Sequence, residues 1–303
     1  MQNTAFFIEN LVPGLDGKYQ SAVVYNGYIY ISDDYGATWD TADSVRLWVD
    51  IAVSSSGQYQ VACVESGYIY TSDDYGASWT QRGISAAWIS ISISGTGQYQ
   101  TALRNYEHIY TSDDYGVTWT DTSVGPGGAV PWKAVSLSYS GQYQAAVILD
   151  GYMYTSDDYG ATWGTVGTSG LWGAVGVCGT GQYQTGVRFG LADVRGIYTS
   201  DDYGVSFDRY VFLKNWRGMS ISSTGQYQTL SSYDYLYTSH DFGATWVERA
   251  LAGSSWVDVG VSDTGLYQTA VESSGQIYRS ADYGITWNAV DSSRSWMSVA
   301  VNR

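Results

Sequence analysis

Lysine is almost missing from this chain of 303 residues: there are three, Lys18, Lys133 and Lys214. Lys and Arg together number 14 against 29 Asp and Glu, so the formal net charge is −15. That balance argues against a nucleic-acid partner, whose phosphates need a basic footprint. It argues equally against an anionic membrane surface. Strong negative charge on its own does no more than favour solubility. Cysteine is also scarce. Cys63 and Cys178 stand at non-equivalent points of the sequence, so a disulfide framework is not expected and two buried free thiols are. No apolar run approaches the length of a membrane span. The opening residues, MQNTAFFIENLVPG, lack the basic and long apolar regions of a secretory leader. A cytoplasmic or virion-associated location is therefore favoured. Proline occurs three times, and no segment keeps a helical period.

What is abundant is glycine, at 36 residues, and aromatic side chains, with 29 Tyr and 13 Trp. They recur in register. The stretch SDDYGATW at 32–39 returns at 72–79, 112–119, 156–163, 200–207, 239–246 and 280–287. A second signature, G-x-Y-Q, places Tyr19, Tyr59, Tyr99, Tyr143, Tyr183, Tyr227 and Tyr267 at steps of 40, 40, 44, 40, 44 and 40 residues. Each repeat contains four short runs rich in β-branched and aromatic residues, bounded by Gly, Ser or Asp. In the second repeat they are 48–54, 59–64, 68–72 and 77–81. Four strands in about 40 residues, repeated, is the pattern of a β-propeller. The sequence thus predicts an all-β fold, a seven-bladed β-propeller of four-stranded blades. No linker divides it, so residues 1–303 are expected to form one domain, with 1–16 irregular and repeats from Gly17.

The two ends of the chain suggest how the ring closes. Residues 296–302 match the first strand of a repeat, and nothing follows them. At the other end Ile8 stands where Trp is expected and Pro13 interrupts the run. The C-terminal strand 296–302 is expected to serve as the inner strand of the first blade and so remove an open edge. The alternative is that 6–12 fills this place and the C-terminal strand is surplus.

Every Trp has a fixed place. Six close the Asp-containing turn: Trp39, Trp79, Trp119, Trp163, Trp246 and Trp287, with Phe207 in the fifth copy. Seven open the inner strands: Trp48, Trp88, Trp132, Trp172, Trp216, Trp256 and Trp296. A Trp used once per unit is a packing element first. Near an axial mouth, the same seven are also candidates for holding a sugar or a peptide.

The S-x-D-x-G-x-T-W turn resembles the Asp box, and the chain resembles Asp-box propellers: sialidases, the sortilin type and photosystem II assembly factor-like proteins. Similar repeat arrays occur in giant viruses and some bacteria. The resemblance implies that Asp34, Asp74, Asp114, Asp158, Asp202, Asp241 and Asp282 belong to a structural turn away from any active site. The chemistry of the residues agrees. A short carboxylate accepts bonds from the N–H groups of its own turn, and Gly supplies a permissive φ. Calcium is the rival occupant, but adjacent Asp residues do not give the alternating ligands of a calcium loop, and two copies carry His240 and Ala281 in place of the first Asp. No metal and no cofactor are expected.

The turns divide between two faces. The first–second turn and the Asp turn keep their lengths on one face. On the other, the blade-to-blade loop is extended at 120–131 and near 250–255, and the second–third loop is extended at 188–196. Loops carry function on a rigid scaffold, so the varied face is the expected binding face. Its candidate residues are the seven inner Trp with Arg104, Glu107, Arg188 and Arg195. The expected function is a non-catalytic scaffold, monomeric, that engages a protein partner there. A multivalent lectin and a structural or virion surface component are the alternatives. A sialidase-like glycosidase fits less well. The resemblance would require an arginine cluster and a Tyr–Glu pair, and the one adjacent pair, Tyr106–Glu107, lies in a loop. No catalytic residue is assigned.

Overall fold

The computed structural model describes residues 16–125, 131–190, 195–212, 214–249 and 255–302. Expectations for residues 1–15, for the alternative inner strand 6–12 and for the middles of the loop extensions lie outside the described residues. Every regular element among the described residues is a β-strand, and the strands form a β-propeller.

The second repeat shows the pattern. Its inner strand pairs antiparallel with Gln60–Val64 (Val53↔Gln60, Ile51↔Ala62). That strand pairs with Gly67–Ser72 (Gln60↔Ser72), which pairs with Thr80–Ala86 (Thr71↔Thr80). The last boundary differs from the predicted 77–81. Residues 73–79 are held by the hydrogen bonds of the Asp box, so the ladder starts only after Trp79. A second difference is that Asp40–Val53 and Gly164–Val177 each run unbroken from the outer strand of one repeat into the inner strand of the next. The hydrogen-bonded sheets accordingly have six, seven, four, four and four strands. At the ends, Trp296–Val301 pairs with the first described strand, from Gln20↔Val301 to Val24↔Trp296. The inner strands touch one another in a closed cycle, in which the Trp296 strand contacts both the Trp48 and the Trp256 strands.

The core lies between neighbouring sheets. One cluster joins Val61, Cys63 and Ile69 of one repeat to Trp88, Ile91 and Ile93 of the next. Both cysteines are free and buried. Each inner Trp meets the third-strand Tyr of its own repeat edge to face, as Trp48 does Tyr70 at 5.2 Å and Trp88 does Tyr110 at 5.2 Å. A further contact crosses every junction. The G-x-Y-Q tyrosine of one repeat packs on the Asp-box aromatic of the next: Tyr19 on Tyr75, Tyr59 on Tyr115, and finally Tyr267 back on Tyr35, at 4.6–4.7 Å. The same Tyr covers the next repeat's glycine. A Cβ on Gly57 would lie 2.3 Å from the Tyr19 ring, and its φ is +79°, so no side chain fits there.

The glutamine of G-x-Y-Q adds a polar belt. Its amide N–H donates to the carbonyl three residues back, as Gln60 does to Gly57. Its carbonyl accepts a hydroxyl from the preceding repeat: Ser21 to Gln60, Thr101 to Gln144, Thr185 to Gln228, Thr229 to Gln268 and Thr269 to Gln20, at 2.5–2.8 Å. Where the hydroxyl is replaced by Val61 or Ala145, the carbonyl oxygens of Gln100 and Gln184 are buried without a partner. An unmet buried acceptor is costly. Val61→Thr is nearly isosteric and supplies the donor, so it is expected to raise stability by about 0.5–1.5 kcal/mol. Thr229→Val strands Gln268 and is expected to lower it by about 1–3 kcal/mol. Urea unfolding of both variants reads the two signs.

Candidate functional site

The Asp turns are occupied by their own bonds. Asp34 accepts from the Ser32 hydroxyl (2.8 Å), the Ala37 and Thr38 N–H groups (2.9 Å each) and the Thr38 hydroxyl (2.7 Å). Ser32 accepts from Gly36 N–H, and Trp39 donates to the Gly36 carbonyl. The second Asp of every other copy accepts in the same way. Partial burial works against ionisation in these carboxyls. The donated bonds outweigh it and hold them below the usual range, the Ser206 hydroxyl leading at Asp202. The aromatic in the box, such as Tyr35 at φ +64°, takes a left-handed backbone that the sequence did not signal. Among the described residues no group of three His, Cys, Asp or Glu is placed to hold a metal.

The propeller axis is different. A cavity of about 330 Å³ runs down it, lined by the inner strands. After the Trp of most inner strands the pairing register slips by one residue, as between Trp48 and Asp50, or Trp132 and Ala134. Such a bulge re-aims side chains, and the residues one and two after Trp both line the cavity. Those one after Trp form its mouth at the varied face: Val49, Ile89, Lys133, Gly173, Arg217, Val257 and Met297. At the other end backbone N–H groups link successive repeats, Ser55 to Gly95, Gly95 to Tyr139, Tyr139 to Gly179, Gly179 to Ser223 and Ser223 to Asp263. The space there is about 10 Å³, the lower limit for one water.

Neighbouring inner strands are too far apart to ladder, so side chains take the N–H groups of their facing edges. Ser136 accepts from Val177, and Ser220 from Val261. At two places the acceptor is a carboxylate. Asp50 Oδ2 takes the Ile91 N–H and the Ser90 hydroxyl, both at 2.9 Å. Asp258 Oδ2 takes the Val299 N–H at 3.1 Å. Between them sits Ser298, whose hydroxyl oxygen is 2.8 Å from Asp50 Oδ1 and 2.8 Å from Asp258 Oδ2. A hydroxyl has one hydrogen to donate. A second contact of this length is favoured by a proton on one carboxyl. Burial raises both acids, and the Asp50 charge helps push Asp258 up to about 7. Lys133 faces this pair, and burial, with Arg217 beside it, lowers its ammonium from the usual value.

The structure disperses much of the candidate site expected from sequence. Trp48, Trp88, Trp132, Trp172, Trp216, Trp256 and Trp296 are at most 2% exposed. They are wedged in the core, in the packing role, and present almost no surface at the mouth. Arg188 is likewise buried; it donates to the Ser169 carbonyl and the Tyr198 hydroxyl and lies over the Trp172 and Tyr198 rings. Arg104 and Glu107 do meet, as an ion pair of 2.8 Å within one loop. Arg195 donates to the Gly190 carbonyl. Sequence reasoning missed Lys133, Arg217, Asp50 and Asp258. Their signal was positional: they are the charged residues found one or two places after an inner Trp.

The BNR-Asp box repeat family matches at residues 109–122, 236–249 and 277–290, and the chain carries these repeats. No curated protein matches the sequence. Among solved structures, the chain is similar to "YCF48 bound to D1 peptide", with 17% identity, 85% of this chain and 88% of that one covered, and TM-score 0.63. It is similar to the Cps50 (Swd1) beta-propeller domain of Myceliophteria thermophila (13% identity, 84% and 90% covered, TM-score 0.66). It is also similar to a GH74 xyloglucanase of Xanthomonas campestris (14%, 90% and 58% covered, TM-score 0.55). At these identities the likeness is one of fold, and the fold hosts both binders and enzymes.

The shared proton makes stability depend on pH. Folded Asp258 keeps its proton up to about 7, whereas the unfolded chain releases it near 3.8. Between these values the folded state binds more protons, so stability falls as pH rises. The Asp boxes act with the opposite sign, losing their contribution as pH falls below the ordinary carboxylate value. Asp258→Asn keeps a donor towards Ser298, gives up the acceptor of the Val299 N–H, and is expected to flatten the decline, which for one group is at most about 1.4 kcal/mol per pH unit. Urea midpoints at a series of pH values test this; an unchanged slope would contradict the shared proton.

Proposed function

We propose that residues 1–303 form a single seven-bladed propeller domain that acts as a non-catalytic scaffold. It engages a protein partner through the face that carries the blade-to-blade and second–third strand loops. Support for the blade number comes from the inter-repeat circuit: the seven G-x-Y-Q tyrosines each meet an Asp-box aromatic, and Tyr267 on Tyr35 completes the circle.

One observation carries the choice of face. On the Asp-turn face the second Asp of each box, its serine and the repeat tyrosines are engaged within the protein, while Asp33, Asp73, Asp113, Asp157 and Asp201 stand exposed. At the opposite mouth Lys133 and Arg217 make no hydrogen bond or ion pair among the described residues; Arg217 lies over the Tyr233 ring at 5.4 Å. Cations that lack an anionic partner, beside apolar Val49, Ile89, Val257 and Met297, are binding equipment. A propeller of similar fold, YCF48, has been seen with a peptide, which favours a protein partner over a glycan. A lectin would keep one site per blade, whereas this mouth is a single, asymmetric feature.

A photoactivatable residue at Tyr152, on the varied face, is expected to cross-link the partner. One at Ile285, in an Asp turn, is not. Removing the extensions within 120–131 and 188–196 is expected to reduce recovery of the partner at least about tenfold, a loss of one or two loop contacts' worth of affinity. Equal recovery, or adducts from Ile285 alone, would overturn the choice of face. Class averages in electron micrographs check the seven blades directly.

A further inference from the structure

The mouth of the axial cavity is divided by chemistry. Going round it in repeat order, Lys133, Gly173 and Arg217 are consecutive, and so are Val257, Met297, Val49 and Ile89. One arc is cationic with a gap at glycine; the other is aliphatic. We propose that this cavity is a binding well for a carboxylate flanked by aliphatic carbon, presented by a segment of the protein partner. Lys133 and Arg217 take the carboxylate across Gly173, and the arc from Val257 to Ile89 takes the aliphatic part. The inference rests on the scaffold function proposed above and names the ligand chemistry of its mouth.

Local charge supports the assignment. Two cations stand at the rim. Below them the Asp50–Ser298–Asp258 group carries one negative charge while one proton is retained, an arrangement that its two 2.8 Å contacts to a single hydroxyl favour. The well therefore keeps one positive charge in a molecule whose net charge is −15. A single anionic group neutralises it. The cavity, about 330 Å³, is at the small end of the range for ligand sites, which suits a few side chains rather than a folded surface. Its far end is narrowed by the Ser55–Gly95–Tyr139 backbone links, so the segment enters and leaves by the same mouth. Desolvation lowers the Lys133 ammonium, and the opposite charge of an arriving carboxylate offsets that shift.

The retained proton couples this site to pH. When the second carboxyl ionises, the two acids balance the two cations and the well loses its attraction for an anion. The charged and titratable groups around the pair are Lys133 across the cavity, Arg217 near Lys133 on the strand next to that of Asp258, and the Cys63 thiol behind Asp50. The Trp88, Trp172 and Trp296 strands bring Ser90, Ala174 and Ser298 at the same level and no charge. Lys133 also titrates early, so loss of affinity at high pH has two sources, and Asp258→Asn separates them.

The probes are two blocked peptides, acetyl-Leu-Glu-Leu-amide and acetyl-Leu-Gln-Leu-amide, titrated into the full chain by calorimetry. At about pH 6 the Glu peptide is expected to bind saturably and at least about tenfold more tightly than the Gln peptide. Lys133→Gln and Arg217→Gln are each expected to remove most of that preference. Between about pH 6 and pH 8 the wild type is expected to lose affinity for the Glu peptide several-fold, and Asp258→Asn to lose less. Equal binding of the two peptides, binding of neither, or a preference that survives the Lys133→Gln, Arg217→Gln double variant would overturn the well. Partner recovery in the loop-deletion experiment does not depend on these peptides. Failure here with that recovery intact therefore removes the well and leaves the scaffold.

Discussion

The pairing of Trp296–Val301 with Gln20–Val24 is the contact on which the remaining structure depends. A row of repeats in which each covers only the next leaves two exposed sheet edges and two uncovered core faces. Here the last strand is inserted beside the first, so Val24, Tyr30 and Ile277 are sealed under Trp296 in one cluster. The closing strand is bolted at both ends. Asn302 accepts from the Tyr19 N–H and donates to the Ser55 carbonyl, and Ser298 sits between Asp50 and Asp258. Asp16 adds a clasp by accepting from Ser262 and Thr264 of the last full repeat. Chain ends that are 283 residues apart thus share hydrogen bonds, and the loop-closure entropy of that contact is offset by bonds that no local segment could make.

Closure imposes a second requirement at the axis. Inner strands have a free edge there, and buried N–H groups must find acceptors. Serine suffices at three junctions, where Ser90, Ser136 and Ser220 accept from Val135, Val177 and Val261. The two carboxylates flank the closing strand, one on the Trp48 strand and one on the Trp256 strand. A carboxylate has more acceptor sites than a hydroxyl, and both oxygens of Asp50 are used. The same device that seats the final strand therefore sets the charge of the cavity. Structure and candidate function meet in Ser298: the proton it favours stabilises the clasp and leaves the rim cations in excess.

Much of the fold could be read from sequence because the repeats compare themselves. The Asp box announces its turn, and residues 296–302 announce their place by resembling the strand at 48–54. What stayed hidden was side-chain direction. Seven Trp at the start of inner strands read as packing elements first and as a mouth second, and periodicity cannot separate the two when both faces of a strand are covered. The bulge after Trp decided it, since it shifts register without changing the sequence pattern. Arg188 misled for a related reason. In a loop it reads as exposed, but beside the wide Trp172–Tyr198 pair its stem and guanidinium fill a packing space. Lys133 and Arg217 were overlooked because they interrupt a position that is otherwise small or apolar.

The charge distribution limits how the mouth can work. Acidic residues dominate the molecule, so an approaching acidic segment meets net repulsion, which screening removes only beyond a Debye length of roughly 8–10 Å. Electrostatic steering, which speeds association between opposite charges, is therefore not available for the proposed ligand. Discrimination has to come from contact: a carboxylate exchanging water for Lys133 and Arg217 inside low-dielectric walls, where a charge pair is stronger than at the surface. Such a site favours selectivity over speed of capture.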